Sequence, residues 1–113
     1  MLKTPRRREY DLQDELELRG LLAVANAVVA RHRGVTLVDV LSHNRSADVA
    51  EARAHLVYEL YDEVRSYPRV GRLLGIHHTS AMAARKRWAR IVGDVAALRP
   101  QAQVTTPAAQ GAV

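Results

Sequence analysis

Short polar and basic side chains that could contact a nucleic acid are concentrated between Ser66 and Arg99. Four adjacent residues there can donate and accept hydrogen bonds, as contact with base edges requires. They are His77, His78, Thr79 and Ser80. Basic residues at 85–87 and at 90 follow them and could neutralise phosphates. From residue 66 to residue 99 there are seven Lys or Arg residues and only one of the chain's 12 acids, Asp94, which favours a polyanionic partner.

The same segment carries the signals of two helices joined by a tight turn. Ser66 is a good N-cap, and Pro68 suits the first turn of a helix, where no backbone N–H is needed. Gly75 tolerates the left-handed backbone that ends a helix. The second helix is predicted to begin at His77. Its apolar positions recur at steps of three and four, at Ala81, Ala84, Trp88, Ile91, Val92, Val95 and Leu98. We therefore predict a helix-turn-helix over residues 66–98, whose second helix meets base edges in the major groove.

From Val28 to Ile91 the sequence resembles the C-terminal DNA-binding domain (domain IV) of the bacterial replication initiator DnaA. The family pattern VAxxxGVTxxDLLSxxRxxxVAxAR corresponds here to VARHRGVTLVDVLSHNRSADVAEAR. The family pattern SLPEIGRxFGxRDHTTV corresponds to SYPRVGRLLGIHHTSA, with a turn one residue shorter. The two segments keep the family's order over more than half of the chain. The resemblance implies an all-α, Trp-repressor-like helical domain that binds double-stranded DNA.

The resemblance also implies roles for individual residues. His78 and Thr79 stand where the family reads bases in the major groove, and Arg45 stands where a family Arg enters the minor groove. His77 replaces an Asp, so the DNA sequence recognised is expected to differ. The residues expected to contact bases are Arg45, His77, His78 and Thr79. The residues expected to contact phosphates are Arg53, which matches a family Arg, and Ser66, Arg69, Arg72, Ser80, Arg85 and Lys86.

Two other interpretations of the adjacent histidines stay open. His77 and His78 could cap the helix and meet only water, or they could bind a metal. Metal binding is disfavoured because the chain has no Cys and its other histidines show no ligand spacing. Trp88 lies on the apolar stripe and is interpreted as a core residue and not as a stacking platform for bases.

Composition narrows the class of protein. The 113 residues carry a net charge of +5 and a pI near 10.2, and the absence of Cys fits a reducing cytoplasm. The sequence has no apolar run of membrane-spanning length and no Walker-type phosphate loop. No spacing typical of a catalytic triad or a metal cluster occurs. We therefore predict a cytoplasmic, nucleoid-associated protein that is not an enzyme and that uses no cofactor, metal or membrane.

Gly, Pro and helix-capping residues mark where segments of the chain begin and end. We predict a flexible basic arm over residues 1–10, a helical domain over 11–99 and a disordered tail over 100–113. Within the domain a first helix begins near Asp11 and breaks at Gly20. Further helices are expected at 21–32, at 37–42 behind a near capping box at Thr36, and from a capping box at Asp48 to about residue 65. The last of these is predicted to be the central helix. The fold class is all-α, with about five helices and no strand.

The function that these observations favour is sequence-specific binding of double-stranded DNA at DnaA-box-like sites by a monomer. Occupying such sites would modulate replication initiation or transcription without ATPase activity. One alternative is a protein-interaction module of the replication machinery, docking through its acidic N-terminal helix on another replication protein and keeping the helix-turn-helix as a scaffold. The other alternative is a dimeric transcriptional repressor.

Overall fold

The chain is described here by a computed structural model over residues 7–98. The helices are α1 Arg7–Leu18, α2 Leu22–Val29, α3 Leu37–Leu41, α4 Ala47–Val64, α5 Tyr67–Leu74 and α6 His78–Val92, followed by a 3₁₀ turn at Ala96–Leu98. No strand occurs within this range, which confirms the prediction of an all-α fold with about five helices. The predicted tail over 100–113 lies outside the described residues. Within the described range no helix is both long and apolar enough to cross a bilayer.

Helix α4 is the centre of the structure. It packs against α2, α3, α5 and α6. Leu56, Val57 and Leu60 on its inner stripe have no exposed surface. Truncating a buried Leu to Ala typically costs about 2–5 kcal/mol, because the surrounding side chains refill the cavity only in part. The predicted central position of this helix is confirmed, and its neighbours are thereby held at fixed positions around it.

Capping side chains define where α3 and α4 begin. Thr36 Oγ1 accepts from the Asp39 backbone N–H at 3.1 Å, and Asp39 Oδ2 accepts from the Thr36 N–H at 3.0 Å, as the near capping box predicts. The capping box predicted at Asp48 is wrong. Ser46 has the extended backbone of an N-cap and accepts from the Val49 N–H, so Asp48 already lies in the first turn. A carboxylate there still interacts favourably with the helix dipole.

Residues 7–10 belong to a helix, so the prediction of a flexible arm over 1–10 is wrong for that part. Residues 1–6 lie outside the described range. Arg8 explains why this segment is held against the rest of the fold. Its guanidinium donates to the Leu41 carbonyl at 2.6 Å and to the Gly75 carbonyl at 2.8 Å. Its neighbour Glu9 is buried. Charge repulsion within an arginine run is therefore outweighed where one member finds carbonyl acceptors.

The second helix of the predicted helix-turn-helix is shorter than its apolar pattern indicated. α6 ends at Val92 because Gly93 takes a left-handed backbone with φ of 76°. Ile91, Val92 and Val95 are half-exposed or more and do not extend the buried stripe. The prediction that the helix runs to Leu98 is therefore wrong. Gly93, which tolerates positive φ, ends the helix although the apolar pattern continues beyond it.

Candidate nucleic-acid interface

The turn between α5 and α6 depends on two glycines. Gly75 caps α5 with φ of 69°, and the Ile76 N–H returns to the Gly71 carbonyl at 2.8 Å. A Cβ at Gly71 would lie 2.6 Å from the Ile76 carbonyl oxygen. At the other end of α5, Ser66 Oγ accepts from the Arg69 N–H at 3.3 Å, as the predicted N-cap requires. These constraints set the approach of α6 to α5.

His77 is the N-cap of α6. Its backbone is extended, and its ring Nδ1 lies 3.2 Å from the Thr79 backbone N and 2.8 Å from Thr79 Oγ1. The His78 ring lies 4.3 Å from the His77 ring, measured between centroids. The His77 side chain thus caps the N-terminus of α6. The side chains of His77, His78, Thr79 and Ser80 are all exposed, so capping does not remove this group from contact with a partner.

One face of α6 is exposed and free of acidic residues. At about 100° per residue, Thr79, Ser80, Ala83, Arg87 and Arg90 project over one arc of the helix, and all five are exposed. Ala81 and Ala89, on the inner side, are fully buried against the core. The helix contains no Asp or Glu at all. We call this arc the outer face of α6.

A concave surface connects the outer face of α6 to the loop between α3 and α4. Its volume is about 500 Å³. Ser80, Ala83 and Arg87 line it from α6, and His43 and Arg45 line it from the loop. The structure therefore brings together Arg45 and Ser80, two predicted DNA contacts that are 35 positions apart in the sequence. We call this the α4–α6 concave surface.

Arg53 holds the loop that carries Arg45. Its Nε donates to the Val40 carbonyl at 2.9 Å, and its Nη2 donates to the Ser42 and Asn44 carbonyls at 3.0 and 3.1 Å. Burial and then the positive charges of Arg8 and Arg45 lower the pKa of Arg53. Arg53 thus supports the loop through its Nε and Nη2 hydrogens, and its phosphate contact stays a prediction.

Arg85 also has a role inside the protein. Its Nη1 donates to the Tyr67 hydroxyl at 2.8 Å, and its Cζ lies 4.2 Å from the centre of the Tyr61 ring. The two tyrosine rings stack with centroids 4.4 Å apart. A cation over an aromatic face contributes about 0.5–2 kcal/mol. Arg85 thus attaches α6 to α4 and α5. Arg85 and the neighbouring Lys86 are both partly exposed, and their phosphate contacts stay predictions.

The remaining predicted phosphate contacts lie elsewhere. Arg69 and Arg72 line a separate groove with α1, of about 890 Å³, whose walls also include Asp11 and Glu15. This groove and the α4–α6 concave surface share no lining residue. Carboxylates in the same groove make it a less favourable site for a polyanion than the outer face of α6.

Sequence reasoning missed His43 and did not rank Arg87 above its basic neighbours. His43 lies two residues before Arg45 in the loop, so its position beside a predicted contact was the available signal. Arg87 follows Ser80 by seven residues, which is two helical turns and places both on one face. Helical spacing could therefore have separated Arg87 from Arg85 before the structure was known.

His32 and His55 pack against Trp88 of α6, and His55 belongs to α4. His55 Nδ1 lies 2.9 Å from His32 Nε2, and the buried His55 ring stacks on Trp88 with centroids 4.2 Å apart. Burial, followed by the charges of His32 and Arg31, lowers the pKa of His55 to about 4. Trp88 is only partly buried, and its ring packs against the rings of His32 and His55. Among residues 7–98 no three His, Asp or Glu side chains are grouped so as to hold a metal ion.

Searches against protein-family models, curated proteins and solved structures found no match for this chain. The likeness to DnaA domain IV thus depends on the two sequence segments described above. The geometry of the outer face of α6 and of the concave surface is an independent observation, because it would stand without that likeness.

Proposed function

We propose that this chain binds double-stranded DNA sequence-specifically, with α5 and α6 forming a helix-turn-helix and the outer face of α6 entering the major groove. One observation carries the proposal. The outer face of α6 exposes hydrogen-bonding residues at its start and Arg87 and Arg90 further on, contains no acid, and faces Arg45 across a concave surface.

The dimensions and the charge of α6 suit the groove. An α-helix with its side chains is about 10–12 Å across, and the major groove of B-DNA is about 12 Å wide. Thr79 and Ser80 lie at the end of α6 where the helix dipole is positive, which favours approach to phosphates and base acceptors. Arg87 and Arg90 would contact phosphates, and Arg45 would enter the adjacent minor groove, where Arg responds to groove width.

The proposed target is a DnaA-box-like sequence, by the resemblance of the two segments to DnaA domain IV. Occupancy of such sites by this chain would modulate replication initiation or transcription by competing with other proteins for the same DNA. A protein at these sites needs only affinity and specificity for this effect, and no chemical step.

Fluorescence anisotropy tests this function. Three probes would be titrated at two salt concentrations: a duplex with a TTATCCACA-type box, a scrambled duplex and a single strand. We expect binding to the box duplex to persist at the higher salt while the scrambled duplex is released. Log affinity should fall with log salt with a slope of about −0.9 for each phosphate neutralised. Absence of duplex binding at low salt would refute the proposal.

A second candidate function is contact with a protein partner, and one observation favours it. Ile91 and Val92 at the end of α6, and Val95 just after it, have exposed apolar side chains. Contiguous exposed apolar groups often mark contact surfaces. A double substitution to neutral polar residues, Ile91→Ser with Val95→Ser, would separate the two candidates. It should leave duplex affinity within about twofold if DNA binding depends on the outer face of α6, since it changes no charge and removes no residue of that face.

A further inference from the structure

The hydrogen bonds of His77 define which ring nitrogen carries its proton. A backbone N–H can only donate, so Nδ1 of His77, at 3.2 Å from the Thr79 nitrogen, must accept. The Thr79 hydroxyl, at 2.8 Å from the same nitrogen, is then also a donor to it. A neutral imidazole has one N–H, so the tautomer that caps α6 is the one that has this hydrogen on Nε2.

This Nε2–H is available to a partner. His77 is exposed, and no residue within 7–98 forms a hydrogen bond with its Nε2. Two contacts restrict the ring: the cap to Thr79 on one edge, and the His78 ring at 4.3 Å with a tilt of 32°. A ring restricted in this way presents its donor in a defined direction, which is a requirement for reading one base.

We propose that His77 is a specificity-determining residue that selects a base with a hydrogen-bond acceptor at the major-groove edge, with guanine as the best fit. Guanine offers N7 and O6, both acceptors, whereas cytosine presents an amino donor that would face the Nε2–H donor. The inference depends on the proposed function, since it names the base that the N-terminus of α6 reads. Thr79 keeps a role in holding the tautomer, because its N–H and hydroxyl both point to Nδ1.

The N-cap position supplies a substitution that reverses the donor without removing the cap. Asp is among the best N-cap residues, and its carboxylate only accepts hydrogen bonds. His77→Asp should therefore keep α6 intact and exchange a donor for an acceptor, which favours the amino group of cytosine. His77→Asn is the matched control, since the amide also caps but carries both a donor and an acceptor.

Selection from a duplex library with randomised central positions, at pH 7.5 with the whole chain, tests the inference. We expect the unmodified chain to enrich guanine at one position by about fivefold or more over cytosine. His77→Asp should shift that one position toward cytosine and leave the others unchanged, and His77→Asn should weaken the preference. A duplex with 7-deazaguanine at that position should bind the unmodified chain less tightly and His77→Asp equally well.

Each result has a distinct meaning. Identical base preferences for the unmodified chain and His77→Asp would overturn the role of His77 while leaving DNA binding intact. Duplex binding without enrichment of any base would overturn it as well. If the chain bound no duplex at all, both the role of His77 and the proposed function would be refuted. Circular dichroism melting of the variants would verify that α6 remains folded in each case.

Discussion

Two groups of arginines in this small protein have opposite surroundings. Arg8, Arg53 and Arg85 donate to backbone carbonyls or a tyrosine hydroxyl and hold helices and a loop in place. We call them the framework arginines. Arg45, Arg87 and Arg90 are exposed, and we call them the surface arginines. Arginines of equal charge therefore have different surroundings, and the difference is whether the guanidinium has acceptors inside the fold.

The histidines show the same division. His55 is buried between His32 and the Trp88 ring, whereas His77 is exposed at the start of α6. A buried imidazole that must remain neutral constrains stability, and an exposed imidazole with a defined tautomer can select a partner. The predictions below test this division, beginning with the largest expected effect.

Loss of a framework arginine should destabilise the fold. Arg53→Gln removes donors from the Val40, Ser42 and Asn44 carbonyls, and we expect a loss of about 3 kcal/mol in the free energy of unfolding. Urea denaturation would measure it. Arg87→Gln, which makes the same chemical change at an exposed site, should stay within about 0.5 kcal/mol. Unchanged stability in Arg53→Gln would remove Arg53 from the framework group.

The stability of the protein should fall as the pH decreases from about 6.5 towards 4. The pKa of His55 is lowered to about 4 in the folded chain, so below pH 6.5 the unfolded chain binds a proton that the folded chain excludes. Protonation thus favours unfolding, by roughly 2–3 kcal/mol near pH 4. The ionisable groups facing His55 are His32, Arg31 and Glu59.

Denaturation curves at several pH values would detect this effect. His55→Phe keeps a flat ring against Trp88 and cannot titrate, so it should remove most of the pH dependence above pH 4.5. If the unmodified chain and His55→Phe lost stability in parallel, His55 would not be the group responsible.

Loss of a surface arginine should weaken DNA binding and leave stability unchanged. Arg45→Gln should cost about 1–3 kcal/mol in affinity for a box duplex, because a minor-groove contact would be lost. Anisotropy titration would measure it, and urea denaturation of the same sample would confirm that the fold is intact. Arg33→Gln, an exposed change of equal charge in the α2–α3 loop, is the matched control. Equal losses in both variants would mean that only net charge matters.

The smallest expected effect concerns Arg87. If Arg87 neutralises one phosphate, Arg87→Gln should weaken binding similarly for box and scrambled duplexes, and the slope of log affinity against log salt should become shallower by about 0.9. The partly buried Arg85 offers a contrast. Arg85→Gln should change the melting temperature while the salt slope stays constant. If instead Arg85→Gln changed the salt slope and Arg87→Gln changed the melting temperature, Arg85 would belong to the surface arginines and Arg87 to the framework arginines.

Much of the fold could be predicted from local signals. The Thr36–Asp39 capping box, the Ser66 cap and the Gly75 turn each depend on residues at most five apart, and all three were confirmed. The predicted end of α6 was wrong because the prediction extended the helix along the apolar pattern beyond Gly93. The start of α1 was wrong because the bonds of Arg8 reach Leu41 and Gly75, which lie far away in sequence.

The candidate site was only partly predictable, for the same physical reason. A sequence shows which residues carry charge, and the acceptors that engage an arginine come from other elements. Arg53 and Arg85 could not be assigned to the framework before the carbonyls of the α3–α4 loop and the tyrosine pair had positions. Conversely, Arg45 and Ser80 share a concave surface that no spacing in the sequence reveals.

Nuclear magnetic resonance of the labelled chain during titration with a box duplex tests the division between the two groups most directly. We predict that backbone amide shifts concentrate at residues 43–46, at 77–80 and along the outer face of α6 to Arg90. The tyrosine pair and residues 91–95 should remain unperturbed. Shifts confined to 91–95 or to the groove beside α1, with residues 43–46 and 77–80 unchanged, would contradict the account.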